Sequence, residues 1–401
     1  MESLVTLTID GQTVSVPPGT TVLEAARLLG IEIPTLCHYA KLSGLGACRL
    51  CLVEVERMKA LQTACTTVVR PEMVVDTDKP EILATRRALL EVLLTNHPLD
   101  CPVCDAGGEC ELQDLTFAHG PAVSRFIEEK RHKGKALPFG PGIIMDQERC
   151  VLCRRCVRFL EEWADEPYIN YVDRGARTYV STFPGQELVG KFVGNVVELC
   201  PVGALTDRSY RFQARPWDLA STPSICSLCG VGCNVTLDVK SDTLRRVRAR
   251  HNPAVNDEWL CDKGRFAHGF VHNPERLASP LIRRNGELRP AGWEEALKLV
   301  AERLSSVVQE HGSDAVGGLG SATATNEANY LFQRFIRGVV GTNNVDHVGR
   351  MPEQASPLDL ARLPEADLVV LCGVELAEEA PLVELFLRNR ALVQGNIRFV
   401  G

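Results

Sequence analysis

Sixteen cysteines, fifteen of them crowded into four groups before residue 262, constrain this chain more than any other feature of its sequence. The first group is spaced C-x10-C-x2-C-x13-C, at Cys37, Cys48, Cys51 and Cys65. The second places His97 four residues ahead of Cys101, with Cys104 and Cys110 following. The third is C-x2-C-x2-C, at Cys150, Cys153 and Cys156, with Cys200-Pro201 far downstream. The fourth, Cys226, Cys229 and Cys233, has its own distant partner in Cys261. Fifteen thiols and one imidazole make four sites of four ligands. Only Cys372, in the apolar run 367–372, is left over, as an expected buried free thiol. Disulfides suit this set poorly. Sixteen cysteines in 401 residues is well below the about 8–10% of disulfide scaffolds. The acidic, alternating opening Met1-Glu-Ser-Leu-Val-Thr is unlike a secretory leader. Metal is the economical use of so many thiols.

Zinc is the plain competitor, and spacing argues against it. Structural zinc sites usually combine two separated ligand pairs, whereas the third and fourth groups put three thiolates close together and a fourth far away. Three adjacent thiolates suit three irons on one face of a cubane, with the distant cysteine on the fourth. The third group carries an internal check. A two-cluster bacterial ferredoxin repeats C-x2-C-x2-C-x3-C-P, each last cysteine serving the other cluster. Here Leu160 stands at the fourth-cysteine position, and Gly190, Val193 and Val196 stand where the second repeat needs thiols. All the vacancies belong to one missing cluster, so the module reads as a two-cluster ferredoxin with one cluster lost. In the first group, Gly44 and Gly46 are expected to let backbone amides approach sulfur, as around a [2Fe–2S] centre. His97 is read as a ligand because its group is one short. His38, His119, His132, His251, His268 and His347 have no such vacancy beside them and are read as structural or solvated.

Acids outnumber bases 51 to 44, a net charge of −7, which excludes a dedicated nucleic-acid binder. No apolar run approaches the ~18 residues of a membrane span. Alternation around Asp10-Gly11 predicts a hairpin, and Thr21-Val-Leu-Glu24 a capping box opening a helix that stops at Gly30. An apolar-periodic helix is expected over 80–96, carrying Ile82, Leu83, Leu89, Leu90, Leu93 and Leu94 and leading into His97. The Gly/Pro-rich segment 134–142 reads as a linker. Five domains are expected: 1–78, a β-grasp [2Fe–2S] ferredoxin; 79–119, the one-histidine, three-cysteine module; 143–215, the one-cluster ferredoxin; 219–275, strand-rich around the fourth group; and 276–401, alternating α and β. In the last, helices are expected at 293–311, 325–340 and 382–393, and strands at 315–319, 368–371 and 397–400. Such alternation implies a parallel sheet. It ends just after a strand, as though incomplete. Gly317-Gly-Leu-Gly320-Ser321 lacks the full G-x-G-x-x-G fingerprint, so no nucleotide is expected to bind this chain.

The order of these sites resembles the large iron–sulfur subunit (G-type, also numbered subunit 3) of bacterial NADH:quinone oxidoreductase, respiratory complex I. The resemblance spans essentially the whole chain. It is most specific at Cys37–Cys65, at His97–Cys110, at Cys150–Cys156 with Cys200-Pro-Val-Gly-Ala-Leu205, and at Trp259-Leu-Cys261-Asp-Lys-Gly-Arg-Phe266. The last string, with Asn273-Pro-Glu-Arg-Leu277, Thr325-Asn-Glu-Ala-Asn-Tyr330 and Gly341-Thr-Asn-Asn-Val-Asp346, resembles the start of a molybdopterin-oxidoreductase-like fold. Family members run well beyond residue 401, so the C-terminal part is expected to be missing.

The resemblance implies an α+β multidomain electron-transfer subunit with one [2Fe–2S] and three [4Fe–4S] clusters and no molybdopterin. Its expected partners are an NADH-oxidising, FMN-binding flavoprotein and quinone-module subunits. Its expected place is the cytoplasmic face of the inner membrane, reached only through the complex. It would be part of an enzyme without substrate chemistry of its own. Cluster potentials would be tuned by ligands, amides and burial, and by bases such as Arg49, Arg154 and Arg155. The rival from another enzyme class is the large subunit of an NAD-linked formate dehydrogenase, which resembles this cluster order. By that register Pro352 stands where the molybdenum ligand belongs and Glu353 where its histidine belongs, although Lys263 matches the residue between cluster and pterin. Iron-only hydrogenases need further cysteine motifs that Cys372 alone does not supply. A non-redox structural zinc protein is the remaining alternative.

Overall fold

The computed structural model describes residues 4–321, 324–347, 360, 363, 366, 368–371, 373–394 and 399–400. They fall into two compact units, one of Met1–Ile225, Cys233–His268 and Leu360–Gly401, the other of Cys226–Gly232 and Gly269–Asp359.

The first unit opens on β1 (Val5–Ile9) and β2 (Gln12–Val16), paired antiparallel. Asp10 and Gly11 both take positive φ, 47° and 76°, as a tight hairpin with right-handed strand twist requires. Thr21 caps α1 (Val22–Leu28): its hydroxyl oxygen accepts from the Glu24 amide, and its own amide donates to the Glu24 carboxylate at 2.7 Å. β3 (Leu52–Val55), β4 (Gln62–Thr63) and β5 (Val74–Asp76) complete a mixed sheet ordered β2-β1-β5-β3-β4. Leu7, Ile9, Val53 and Val75 bury against Leu23 and Ala26 of α1, as strand alternation and helix periodicity require.

α2 (Pro80–Asn96) has the expected bounds, but its inner face is half polar. Ile82 and Leu90 bury with Arg86 and Glu91, while Leu83 turns to solvent. Arg86 is inside because its guanidinium donates to the Leu50 and Leu52 carbonyls at 3.2 and 3.1 Å. α3 (Glu111–His119) follows Cys110 directly.

The expected linker 134–142 is structured instead. It contains β6 (Leu137–Pro138), which pairs with β7 (Ile143–Met145). A Cβ on Gly140, at φ 133°, would stand 2.2 Å from the Leu188 carbonyl oxygen, and one on Gly142 2.9 Å from the Phe266 ring. Glycine serves close packing here, which composition alone does not distinguish from flexibility. After α4 (Arg155–Glu162), β8 (Ile169–Val172), β9 (Tyr179–Thr182) and α5 (Asn195–Leu199), β10 (Leu205–Asp207) joins the far edge of β7. β11 (Ala220–Ile225), β12 (Asn234–Lys240) and β13 (Thr243–Ala249) form an antiparallel sheet, followed by α6 (Asp262–Phe266). Asp238, wholly buried, is neutralised there by Arg246 and Arg248 at 2.7 and 2.8 Å.

The second unit holds β14 (Leu281–Arg284), β15 (Glu287–Pro290), α7 (Trp293–His311), β16 (Gly318–Gly320), α8 (Asn326–Phe335) and β17 (Val345–His347). β16 pairs in parallel with β17, a strand that the alternation of elements does not place. The strand expected at 315–319 starts later, because Ser313–Ala315 is a 3-10 turn. Gly318 is needed for close contact: a Cβ there would reach within 3.0 Å of both Ile336 and Phe332.

Back in the first unit come β18 (Val369–Val370), α9 (Leu376–Glu379), α10 (Pro381–Gln394) and β19 (Phe399–Val400), with β18 and β19 parallel. Arg388 of α10 donates to the Ala164 carbonyl at 2.7 Å and pairs with Glu166 at 3.1 Å. Cys372, Pro352 and Glu353 lie outside the described residues.

Trp259 is the centre of the first unit's aromatic packing. Its ring lies 4.8 Å from Phe159, 5.0 Å from Trp163 and 6.1 Å from Tyr39, and it is 1% exposed. Replacing Trp259 with Ala is expected to cost about 3–5 kcal/mol. Denaturation of the intact protein measures this, and Trp259→Phe should recover most of the loss.

Candidate metal centres

Each cysteine loop is bent by residues in the left-handed region, where φ is positive. They are Arg49 (60°) in the first group, Gly108 (97°) in the second, Leu152 (54°) and Arg154 (62°) in the third, and Gly232 (65°) in the fourth. For non-glycine residues this costs about 1–2 kcal/mol each. Such bends turn successive amides to one side, where they meet a negative atom. No disulfide joins the fifteen described cysteines.

In the first group, Cys51 and Cys65 bring their sulfurs to 3.3 Å. The Leu36 amide donates to Cys48 Sγ, and the Cys48 amide to Cys37 Sγ, both at 3.4 Å. Hydrogen bonds from the Cys48 and Cys65 thiols pull Cys37 down to about 2, and one from Cys65 pulls Cys51 down to about 7. The same bonds push Cys48 and Cys65 up as proton donors. Four sulfurs thus already share charge. Gly44 and Gly46 make room for something other than those amides: a Cβ on Gly44 would lie 3.1 Å from the Cys65 carbonyl oxygen.

In the second group, Cys104 and Cys110 are buried and Cys101 is exposed. Burial raises the Cys104 thiol and pushes Cys110 up to about 11, against amides of Ala106, Leu112 and Gln113 that favour the thiolates. A Cβ on Gly203 would stand 2.1 Å from Cys104 Sγ, so only glycine leaves space for that sulfur. His97 ends α2 as its C-cap. Burial, then the charges of Arg149 and Lys130, lower its imidazole to about 4, so it is neutral at pH 7, as a metal ligand must be. Arg149 also acts on Cys104 and is itself held by Asp100 at 2.9 Å.

The third group is the most complete. Cys150, Cys153, Cys156 and Cys200 all line one small cavity of about 20 Å³, closed otherwise by such residues as Met145, Val180 and Leu205. Burial pushes Cys150 and Cys153 up to about 12, and raises Cys156 and Cys200 as well. Opposing this, amides of Val202, Ala204 and Leu205 all favour a thiolate at Cys200. Four thiols are taken out of water together, a cost that binding a metal relieves. Arg155 lies within electrostatic range of Cys153 and Cys200 while pairing with Glu111 at 2.5 Å, and Arg154 stacks on Tyr171 at 4.8 Å.

The fourth group is divided between the units. Cys233 and Cys261 are buried in the first, where Cys261 Sγ accepts from the Gly264 amide at 3.3 Å. Cys226 and Cys229 belong to the second and are half-buried. The sequence alone does not single out Arg149, Glu111 or Gly203. Of these only Gly203 leaves a signal there, as a glycine three residues after a ligand. His251, read as structural or solvated, stands with Asp257 and Glu258 in a small cluster, their ligand atoms within 4.8 Å of one another.

Families of known proteins match the chain in the same order as its cysteine groups. They are the 2Fe-2S iron-sulfur cluster binding domain (residues 2–80) and the NADH-ubiquinone oxidoreductase-G iron-sulfur binding region (86–125). The NADH-quinone oxidoreductase subunit 3 ferredoxin-like domain matches 140–206, the molybdopterin oxidoreductase Fe4S4 domain 219–273, and molybdopterin oxidoreductase 276–400. These establish a multidomain chain with 2Fe-2S and 4Fe-4S binding domains. A G-type subunit of the NADH-quinone oxidoreductase of Rhizobium meliloti is 44% identical over 97% of this chain and 46% of its own length. NADH-quinone oxidoreductase subunit 3 of Thermus thermophilus is 37% identical over 96% of this chain and 53% of its own. The NADPH-Fe(3+) oxidoreductase subunit alpha of Geobacter sulfurreducens is 40% identical over 87% and 40% respectively. The chain therefore spans about half the length of the curated relatives it matches. Over that span it belongs to the family of large iron–sulfur subunits, G-type or subunit 3, of NADH-quinone oxidoreductases.

Proposed function

We propose that this chain is an electron-transfer subunit of an NADH:quinone oxidoreductase, passing electrons from an FMN-bearing partner toward a quinone-reducing module. The observation that carries the reading is the cavity ringed by Cys150, Cys153, Cys156 and Cys200. Four thiols converge there without any acid–base pair or nucleophile beside them, so the site is built to hold a cofactor and not to transform a substrate. Cys37, Cys48, Cys51 and Cys65 would hold one [2Fe–2S] cluster. Three [4Fe–4S] clusters would be held by His97 with Cys101, Cys104 and Cys110, by the cavity four, and by Cys226, Cys229, Cys233 and Cys261.

Clusters so bound supply one-electron storage at potentials set by their surroundings. The chain's own residues do the rest. Left-handed loops aim amides at sulfur, Gly203 leaves space beside Cys104, and Arg149 and Arg155 balance negative charge at the second and third groups. Among the described residues no helix is long and apolar enough to cross a membrane. Association with the cytoplasmic face of a membrane is accordingly proposed to be indirect, through partner subunits. Formate oxidation is disfavoured by the relatives' names and by Pro352 at the position of a metal ligand.

Iron and sulfide analysis with EPR of the anaerobically purified protein tests this. Signals from one [2Fe–2S] and three [4Fe–4S] centres are expected, and a colourless, EPR-silent, zinc-loaded protein would overturn the proposal. Gly203→Ala should lose the second-group cubane, about four irons per chain by cubane stoichiometry, while the [2Fe–2S] signal persists. His97→Ala should lose or convert the same cubane. Cys153→Ala is expected to make the third module protease-sensitive as well as paler, because metal–thiolate bonds carry folding energy.

A further inference from the structure

α4 begins at the third group's ligand loop, and its C-terminal end reaches back to the first group's loop with three side chains. Arg158, two residues after Cys156, is buried, and its guanidinium donates to the carbonyls of Cys37 and Ser43. Glu162, one turn further on, accepts from the Ser43 amide at 2.9 Å and the Ser43 hydroxyl at 2.5 Å. Trp163 donates its indole N–H to the Lys41 carbonyl at 2.8 Å. Positions 158 and 162 share a helix face, so the loop 37–43 is gripped by a guanidinium and a carboxylate at once. The sequence separation bridged is more than a hundred residues in every case. No motif in the sequence announces it.

Two consequences follow from the chemistry. A planar guanidinium fork fixes direction as well as distance, which an ammonium does not. Its charge also lies against the backbone of Cys37, where it favours the more negative, reduced state of whatever Cys37 ligates. The bonded route from Cys156 to Cys37 is correspondingly short: two residues of backbone, one arginine side chain and one hydrogen bond.

We infer that Arg158, braced by Glu162, is a positioning residue that holds the first sulfur site in register with the third and raises the first site's potential. This rests on the electron-transfer reading above. The exchange it governs moves one electron, oxidising the site it leaves and reducing the site it reaches, with no bond made or broken.

The test uses the whole protein with its clusters, reduced stepwise with dithionite. Arg158→Gln should retain the wild-type iron and sulfide content. The [2Fe–2S] midpoint should fall by about the equivalent of a tenfold change in its reduction equilibrium, 59 mV for one electron. The magnetic broadening between the [2Fe–2S] signal and its [4Fe–4S] neighbour should change too. Arg158→Lys should restore the midpoint, because the charge returns, and not the broadening, because the fork does not. Should Arg158→Gln not be recoverable, Ser43→Ala removes only the hydroxyl contact to Glu162 and should alter the broadening with the midpoint nearly kept. Unchanged midpoint and broadening in cluster-loaded Arg158→Gln, or unchanged broadening in Ser43→Ala, would sink the clamp and leave the electron-transfer reading standing. A wild-type protein without iron would sink that reading itself.

Discussion

Taking thiols out of water is the constraint on which the rest of this structure depends. A buried thiol resists ionisation, as the raised Cys110, Cys150 and Cys153 show, yet a metal ligand must be a thiolate. The chain meets this with partial charges fixed in place. Left-handed residues at 49, 108, 152, 154 and 232 bend the loops, and amides are turned onto sulfur in the first three groups. The backbone strain at Leu152 and Arg154 is tolerated because α4 and β7 hold both ends of that loop.

The same electrostatic demand explains why buried arginines join the modules. Arg155 links the third group to Glu111 beside the second, Arg149 links His97's neighbourhood to Asp100, and Arg246 pairs with Glu109 at 2.7 Å from the sheet that follows. A buried guanidinium is tolerable only when paired and hydrogen-bonded. Each of these is. Breaking one partner would strand a charge inside, so the pairs enforce a single arrangement of modules that apolar packing alone would leave less specific.

Aromatic residues do the complementary work. Tyr39, Phe159 and Trp259 lie two or three residues from Cys37, Cys156 and Cys261, and their rings meet in one cluster. Large rigid rings near ligands exclude water and limit rotation of the loops they belong to. Burial of that kind is one of the few levers a protein has on a cluster's potential.

Local chemistry was legible from the sequence wherever it depends on residues near one another. The hairpin at Asp10-Gly11, the Thr21 capping box and the bounds of α2 and α7 follow from turn residues, caps and periodicity. The parallel pairing of β18 with β19 follows from the alternation of elements. The grouping of Cys150, Cys153 and Cys156 with Cys200 was readable because a ferredoxin repeat leaves vacancies at predictable positions. The order of the sites in turn pointed to the large iron–sulfur subunits of complex I, a resemblance that the relatives bear out. What the sequence did not show depends on side chains meeting across long separations. Arg86 inside α2, the packed segment 134–142 and the grip of Arg158 and Glu162 on Ser43 have no local pattern. A glycine or an arginine looks alike in solvent and in a core until its distant partner is in place. Spacing therefore determined which side chains group as candidate ligands, whereas the tertiary fold alone decided which charges and surfaces surround them.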